Sequence, residues 1–237
     1  MNSGMYAALS GNLSAMRRLD VISNNLANAS TPGFKADQIQ FESVLAGVKN
    51  PSQEPVLSNE RFSTDFSSGT LQKSDNALDL ALDGDGFFVV NTPQGPAYTR
   101  QGNFHRGAGG RLVNADGYEL QGQGGPITVA GGRVDIGAGG AVTVDGAASG
   151  TLALVDFPKP YAMTKSGGGL FAPADPQAVP TPSKAEVKQG YLESSNVKVI
   201  VEMARMIETS RYFESCAKAV KSYDDMAAKA ANDLGKV

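Results

Sequence analysis

The residues that first suggest chemistry are the carboxylates of Asp83-Gly84-Asp85-Gly86, which alternate with glycine as at the start of a calcium-binding loop. A helix–loop–helix calcium site takes another oxygen ligand at the fifth loop position and a bidentate glutamate at the twelfth. This chain has Phe87 and Gln94 at those positions. Because Asp and Gly tolerate the backbone conformations of tight turns, the sequence predicts a hairpin turn here and not a metal site.

Histidine chemistry is confined to His105, the single histidine of the sequence. One histidine excludes multi-histidine metal sites, and any serine triad would depend on this residue. His105 lies in the glycine-rich segment 102–110, where we expect a solvent-exposed loop residue.

Two further motifs resemble catalytic ones but lack their context. Residues 215–218 match the S-x-x-K pattern of serine acyl enzymes, without its partner motifs and inside a periodic helix. Residues 122–125 lack the spacing and the following helix of a dinucleotide-binding loop. The sequence therefore predicts no enzyme, no cofactor and no metal site.

Composition excludes several classes of partner. A net charge of −3 gives no electrostatic reason to bind nucleic acid. No apolar run approaches the roughly 20 residues that span a bilayer. Cys216, the single cysteine, cannot form an intrachain disulfide. Arg17 and Arg18 follow the first apolar residues instead of preceding them, so we expect no secretory signal peptide, and either a cytoplasmic protein or one exported with its N-terminus intact.

An amphipathic helix is predicted over residues 3–28. Apolar residues recur there every three or four positions and are flanked by Ala, Ser and Gly, which suits close helix–helix contact. The helix should end at Thr31-Pro32-Gly33, because proline disfavours α conformation in the residue before it. The stripe consists of Leu9, Leu13, Met16, Leu19, Ile22 and Leu26.

Residues 196–234 carry the strongest periodic signal of the chain. Apolar positions alternate between spacings of four and three over three heptads, which predicts a coiled-coil or bundle seam. Periodicity alone equally permits an amphipathic helix on a globular core. The seam consists of Val199, Met203, Met206, Ser210, Phe213, Ala217 and Val220, widened at its start by Ile200, Ala204 and Ile207.

Between these helices the chain is rich in glycine and turn signals, with short alternating apolar runs that predict β-strands. We therefore predict an α+β fold, in which the N- and C-terminal helices pair as a coiled-coil or bundle layer and a central Gly-rich antiparallel β domain lies between them in sequence. The predicted boundaries are 1–35 for the first helix, 36–75 for an extended connector, 76–190 for the β domain and 191–237 for the last helix.

Four segments in order resemble the axial proteins of the bacterial flagellum, the family of rod, hook and hook-associated subunits. Residues 23–35 (SNNLANASTPGFK) are similar to the N-terminal signature of that family. Residues 79–90 (DLALDGDGFFVV) and 98–122 resemble the core of rod and hook proteins, and residues 189–226 resemble their C-terminal helix. Residues 47–70 and 158–186 show little similarity to these family segments.

Within this family the sequence is most similar to the proximal rod protein. The hook protein is much longer, and the short rod proteins lack a Gly-rich middle. Residues 27–34, 125–129 and 206–214 look more like the proximal than the distal type. The distal type usually has Gln or a similar residue in place of Ser210 and Asn in place of Pro32.

The resemblance implies a structural subunit that stacks helically into the hollow periplasmic drive shaft, transmits motor torque to the hook and lines the export channel. It implies an inner coiled-coil layer of terminal helices, other copies and other rod proteins as partners, and export by the flagellar type III apparatus without signal cleavage. The alternatives are a distal rod subunit of the same family or a secreted β-rich binding or adhesion module.

We expect the assembly interface on the two helices, because each buried Met or Phe contributes about 1.5–3 kcal/mol. Asn is a poor helix-interior residue, so two adjacent ones suggest side-chain hydrogen bonds to backbone or to another subunit. The predicted interface residues are Leu9, Leu13, Met16, Leu19, Ile22, Asn24, Asn25, Leu26, Val199, Met203, Met206, Ile207, Phe213, Ala217 and Val220.

Limited proteolysis of the dilute subunit should remove residues before about 35 and after about 196, leaving a resistant β core. Isolated helices are marginally stable unless a face is buried, and a shaft subunit shares that face with neighbouring copies. Mass spectrometry of the fragments locates the cleavage sites. Equal resistance of the ends and the middle in a confirmed monomer would contradict the prediction.

Overall fold

The computed structural model describes residues 2–43 and 58–234, which divide into two compact units. The helical unit contains the described residues of Met1–Ala29, Ala36–Asp65 and Val197–Val237, and the β unit contains Ser30–Lys35 and Phe66–Asn196. Helices at both ends and a large antiparallel β region between them confirm the α+β class. Residues 44–57 of the predicted connector lie outside the described residues.

The helical unit consists of α1 (Asn2–Ala27), β1 (Asp37–Ser43), β2 (Ser58–Thr64) and α2 (Val199–Leu234). Strands β1 and β2 pair antiparallel, with Asp37 opposite Thr64. Both strands lie within residues 36–75, which the sequence predicts as an extended connector. The described parts of that connector therefore include a two-stranded antiparallel sheet.

Helices α1 and α2 lie side by side and antiparallel. Gly4, near the start of α1, approaches Tyr223 so closely that an added Cβ would lie 2.2 Å from the tyrosine hydroxyl. Gly11, two turns later, faces Tyr212 and Cys216, with 2.9 Å from such a Cβ to the Tyr212 hydroxyl. The early part of α1 therefore meets the later part of α2, and glycine permits the close approach.

The β unit is built from short strands. Among its described residues these are β3 (Leu71–Lys73), β4 (Leu80–Asp83), β5 (Phe87–Thr92), β6 (Gly95–Thr99), β7 (His105–Arg106), β8 (Leu112–Val113), β9 (Glu119–Gly122), β10 (Gly125–Pro126), β11 (Val134–Ile136), β12 (Ala141–Val144), β13 (Ala147–Thr151), β14 (Leu154–Asp156), β15 (Met163–Gly167), β16 (Leu170–Pro173), β17 (Thr181–Pro182), β18 (Glu186–Gln189) and β19 (Tyr191–Glu193).

The largest sheet follows the order β15-β16-β6-β5-β9-β8-β7, with β10 beside β9 and β14 pairing with both β5 and β17. Strands β11, β12 and β13 form a separate sheet, and β18 pairs with β4 as β19 does with β3. Strand β5 places Phe88 and Val90 in the main core, while Phe87 packs in an aromatic cluster with Tyr98 and Phe171. Alternation along the strand thus supplies two apolar clusters.

The hairpin prediction at residues 83–86 is wrong. These residues do form a turn, with positive φ at Gly84 and Gly86. However, the strand before the turn pairs with β18 and the strand after it pairs with β6, β9 and β14. The turn passes the chain from one ladder to another, and the two strands that it joins do not pair.

The residues considered above for chemistry belong to different elements of the structure. His105 is exposed on β7, at the edge of the large sheet. Among the described residues no three His, Cys, Asp or Glu side chains come together to hold a metal ion. No described helix is long and apolar enough to span a membrane.

Candidate assembly interface

The apolar residues of α1 divide between two sides of the helix. Ala15 and Ile22 are buried, whereas Leu9, Leu13 and Met16 each expose about half of their surface (46–51%). Leu19 and Leu26 are half-buried. The exposed residues, together with Tyr6, follow one side of the helix, which we call the α1 outer stripe.

The apolar residues of α2 divide in the same way. Met206, Phe213, Ala217 and Val220 are half-buried. Val199 is exposed, and Ile200, Met203 and Ile207 expose 84%, 53% and 59% of their surface. The last three, spaced by three and four, lie on one side of the helix and form the α2 outer stripe. The predicted seam therefore includes both exposed and half-buried positions.

The inner sides of the two helices carry small and polar residues. Glu202 and Thr209, seven residues apart, are buried in α2. A hydrogen bond with Cys216, and to a lesser degree burial, raise the pKa of Tyr212 above its ordinary value. Gly11 faces both of these side chains. The Ala, Ser and Gly residues of α1 predict this close contact from sequence. The buried polar residues of α2 interrupt the apolar pattern of that helix, and sequence reasoning missed them.

A cavity of about 370 Å³ in the helical unit is lined by α1, β1 and α2. Its walls carry opposite charges, including Arg18, Asp37, Glu202 and Arg205. Glu202 accepts a hydrogen bond of 2.7 Å from Arg205. These lining groups include no nucleophile paired with a base.

The two adjacent asparagines have different environments. Asn25 is buried, and its amide group makes two hydrogen bonds with the backbone of Asp37. Its Nδ2 donates to the Asp37 carbonyl at 2.8 Å, and its Oδ1 accepts from the Asp37 amide at 2.9 Å. Asn24 has an exposed side chain. Asn25 thus fixes the start of β1 against the end of α1.

The β unit contains a buried cluster of charges that sequence reasoning missed. Glu193 and Lys35 are each 1% exposed, and Arg100 is 3% exposed. Lys35 Nζ donates to Glu193 Oε1 at 2.6 Å, and Arg100 donates to Glu193 Oε2 at 3.2 Å. Buried charges are costly unless they are paired and hydrogen-bonded. One carboxylate therefore serves two cations that lie far from it in sequence.

Backbone groups complete this cluster. Glu193 Oε1 accepts from the Gly69 amide at 2.8 Å, and Lys35 donates to the Ser67 carbonyl at 2.8 Å. Arg100 donates to the Gly84 carbonyl at 2.7 Å and lies over the Phe87 ring. Carbonyl dipoles thus help to compensate the two cations that share this carboxylate.

Comparison with known proteins gives matches at three places along the chain. Residues 5–35 match the family model described as Flagella basal body rod protein, residues 81–144 the Flagellar hook protein FlgE/F/G D1 domain, and residues 188–234 the Flagellar basal body rod FlgEFG protein C-terminal. The flagellar basal-body rod protein FlgF of Rhizobium meliloti is 35% identical over 99% of both chains.

Other relatives are similar over the same extent. FlgF of Caulobacter vibrioides is 31% identical over the full length of both chains. The rod protein FlgG of Bacillus subtilis is 31% identical over 98% of this chain and 99% of the relative. The chain belongs to the flagellar basal-body rod protein family. It is a structural subunit of the basal body and not an enzyme, as the sequence predicts.

Each matched region of this rod protein contributes one charge to the buried cluster. Lys35 ends the first region, Arg100 lies in the second and Glu193 in the third. Gly33 of the first region packs against the backbone of Arg100, where an added Cβ would lie 2.4 Å from its carbonyl. The three regions that mark a rod protein in sequence thus meet at one point in the β unit.

Replacing Asn25 with Ala should lower the free energy of unfolding by about 1–3 kcal/mol, because the Asp37 amide and carbonyl lose their partners. Denaturant unfolding followed by circular dichroism measures the change. Asn24→Ala is the control: its side chain is exposed, and Ala favours helix. Equal effects of both substitutions would show that the Asn25 bonds contribute little.

Proposed function

We propose that this subunit belongs to the proximal rod and that its terminal helices form the inner, coiled-coil layer of a hollow shaft. The observation that carries the proposal is the pair of outer stripes on α1 and α2. Apolar side chains exposed in a row mark surfaces that bind protein. In a rod subunit, the partner of matching chemistry is the helical part of a neighbouring copy or of another rod protein.

The remaining parts of the proposal follow from the family. The β unit would lie outside the helical layer, and the assembled shaft would cross the periplasm and carry torque from the motor to the hook. The subunit would reach the growing rod through the flagellar type III export apparatus. The family membership supports these roles, and those within the shaft require the subunit to associate with copies and relatives.

The choice of the proximal rod depends on individual positions. FlgF is the proximal and FlgG the distal protein, and both types occur among relatives of similar identity. Pro32 and Ser210 occupy positions where the distal type usually has Asn and Gln or a similar residue. These positions favour the proximal assignment over the distal one.

Deletion of this gene in the source bacterium should leave cells with no distal rod and no hook, because later segments build on the proximal one. Electron cryotomography of the basal bodies provides the measurement. A remaining proximal stub that lacks only the distal segment and the hook would instead assign the chain to the distal rod. Restoring the gene on a plasmid is the control for effects on its neighbours.

Ile207→Asp should abolish rod assembly while the purified subunit stays folded. The charge stays hydrated in the free subunit, where Ile207 is mostly exposed, but would have to be desolvated beneath a neighbour. Met206 and Phe213 are less suitable targets because they are half-buried in the subunit itself. Flagella per cell and the circular dichroism spectrum are the measurements.

Two variants control this experiment. Ile207→Leu keeps the apolar side chain and should assemble normally. Ser215→Asp adds the same charge to an exposed polar position of the same helix and should also be tolerated. Normal rods in the Ile207→Asp strain would exclude the α2 outer stripe as an assembly surface.

A further inference from the structure

The chain passes between the helical unit and the β unit at four places, after Ala29, Lys35, Asp65 and Asn196. Three segments of the β unit adjoin these passages, namely residues 30–35, 66–70 and 193–196. They come from distant parts of the sequence. Any force that enters the β unit along the chain enters through these segments.

Backbone and amide hydrogen bonds tie the three segments to one another. The Gly33 amide donates to the Glu193 carbonyl at 2.7 Å, and the Ser194 amide donates to the Thr70 carbonyl at 2.9 Å. Asn196 Nδ2 donates to the Ser67 carbonyl at 3.2 Å. Backbones also touch directly, since a Cβ added to Gly69 would lie 1.9 Å from the Ser194 carbonyl oxygen.

The buried charges lie at the centre of these segments. Lys35 is the last residue before one passage, and its ammonium group binds both Ser67 and Glu193, which belong to the other two segments. Arg100 joins the same carboxylate to the large sheet, because it immediately follows β6 and also binds the Gly84 carbonyl. Lys165 of β15 donates to the Lys35 carbonyl at 2.7 Å.

Stability alone is a weak reason for such a cluster. Well-packed apolar residues of similar volume often replace buried ion pairs without loss of stability. What charge-assisted hydrogen bonds add is direction, since they weaken steeply as donor and acceptor move out of line. Apolar contacts are non-directional and permit sliding.

We propose that Lys35, Glu193 and Arg100 form a mechanical clamp that holds the chain passages in fixed positions on the β unit, so that torque reaches the sheet without slippage. The clamp rests on the proposed function, because only a subunit of a rotating shaft carries such a force. Its three residues are positioning residues whose role goes beyond folding stability.

The test replaces the whole clamp with apolar residues, in the triple variant Lys35→Met, Arg100→Met, Glu193→Leu, introduced at the chromosomal gene. The control removes an exposed ion pair of the same residue types on β18, with Glu186→Leu and Lys188→Met. Four quantities are measured: the unfolding midpoint of the purified chain, flagella per cell, and swimming speed in dilute buffer and in a viscous polymer solution.

The triple variant should still fold, with a lower unfolding midpoint because the Ser67 and Gly84 carbonyls and the Gly69 amide lose their partners. It should keep its number of flagella but lose swimming in the viscous solution, where the motor works against a greater torque. The control should swim like the parent in both media. Parental swimming of the triple variant in viscous solution would overturn the clamp. A triple variant that folds but builds no rods would also overturn it, because the cluster would then act in assembly.

If the triple variant does not fold, Lys35→Met alone provides the same test, since it leaves the balanced Arg100–Glu193 pair, and Lys188→Met is then the control. Failure of the clamp is distinguishable from failure of the proposed function. If the deletion strain still builds complete rods, the function is wrong. If that strain lacks rods while the clamp variants swim normally under load, only the clamp is wrong.

Discussion

The arrangement of the β unit depends on the interactions of one carboxylate, that of Glu193. It is buried, and two cations from other parts of the chain and a backbone amide converge on it. A carboxylate in such a position requires these partners, because an unpaired buried charge would cost several kcal/mol. Satisfying it therefore brings together the loop after α1, the end of β6 and the strand that precedes α2.

This constraint explains why the first family motif belongs to the β unit even though it follows a helix of the other unit. Gly33 has a positive φ and lies directly against the Arg100 backbone. A side chain at this position would collide with the Arg100 backbone, and most residues would also be strained at this φ. Because α1 already ends at Ala27, the role of the glycine after Pro32 is to permit this contact and not to end the helix.

The helices and the β class could be predicted from the sequence, because their signals are local. Apolar spacings of three and four gave α1 and α2 to within a few residues, and Gly-rich alternation gave short antiparallel strands. Strand pairing could not be predicted in the same way. The turn at residues 83–86 has the composition of a hairpin, yet its strands pair elsewhere, because long-range packing decides the partner.

The charged cluster was not predictable for a similar reason. Lys35 and Glu193 are separated by 158 positions, and each lies in a segment where a solvated charge is the ordinary expectation. Periodicity identified the two helices but not which of their apolar residues are exposed in the subunit. Ile200, the most exposed of the α2 outer stripe, entered the prediction only as a flanking residue.

The small and polar inner sides of α1 and α2 have a consequence for how a shaft grows. Glycine, alanine, threonine and a buried glutamate occupy much of the contact between the helices, while the larger apolar side chains of the two outer stripes are exposed. If neighbouring subunits cover these outer residues, as we propose, a first neighbour in solution covers only part of them, whereas a site at the end of an existing shaft presents several neighbours at once. Addition to a tip is then favoured over spontaneous nucleation, so that a pool of free subunits can persist below the concentration at which new filaments would start.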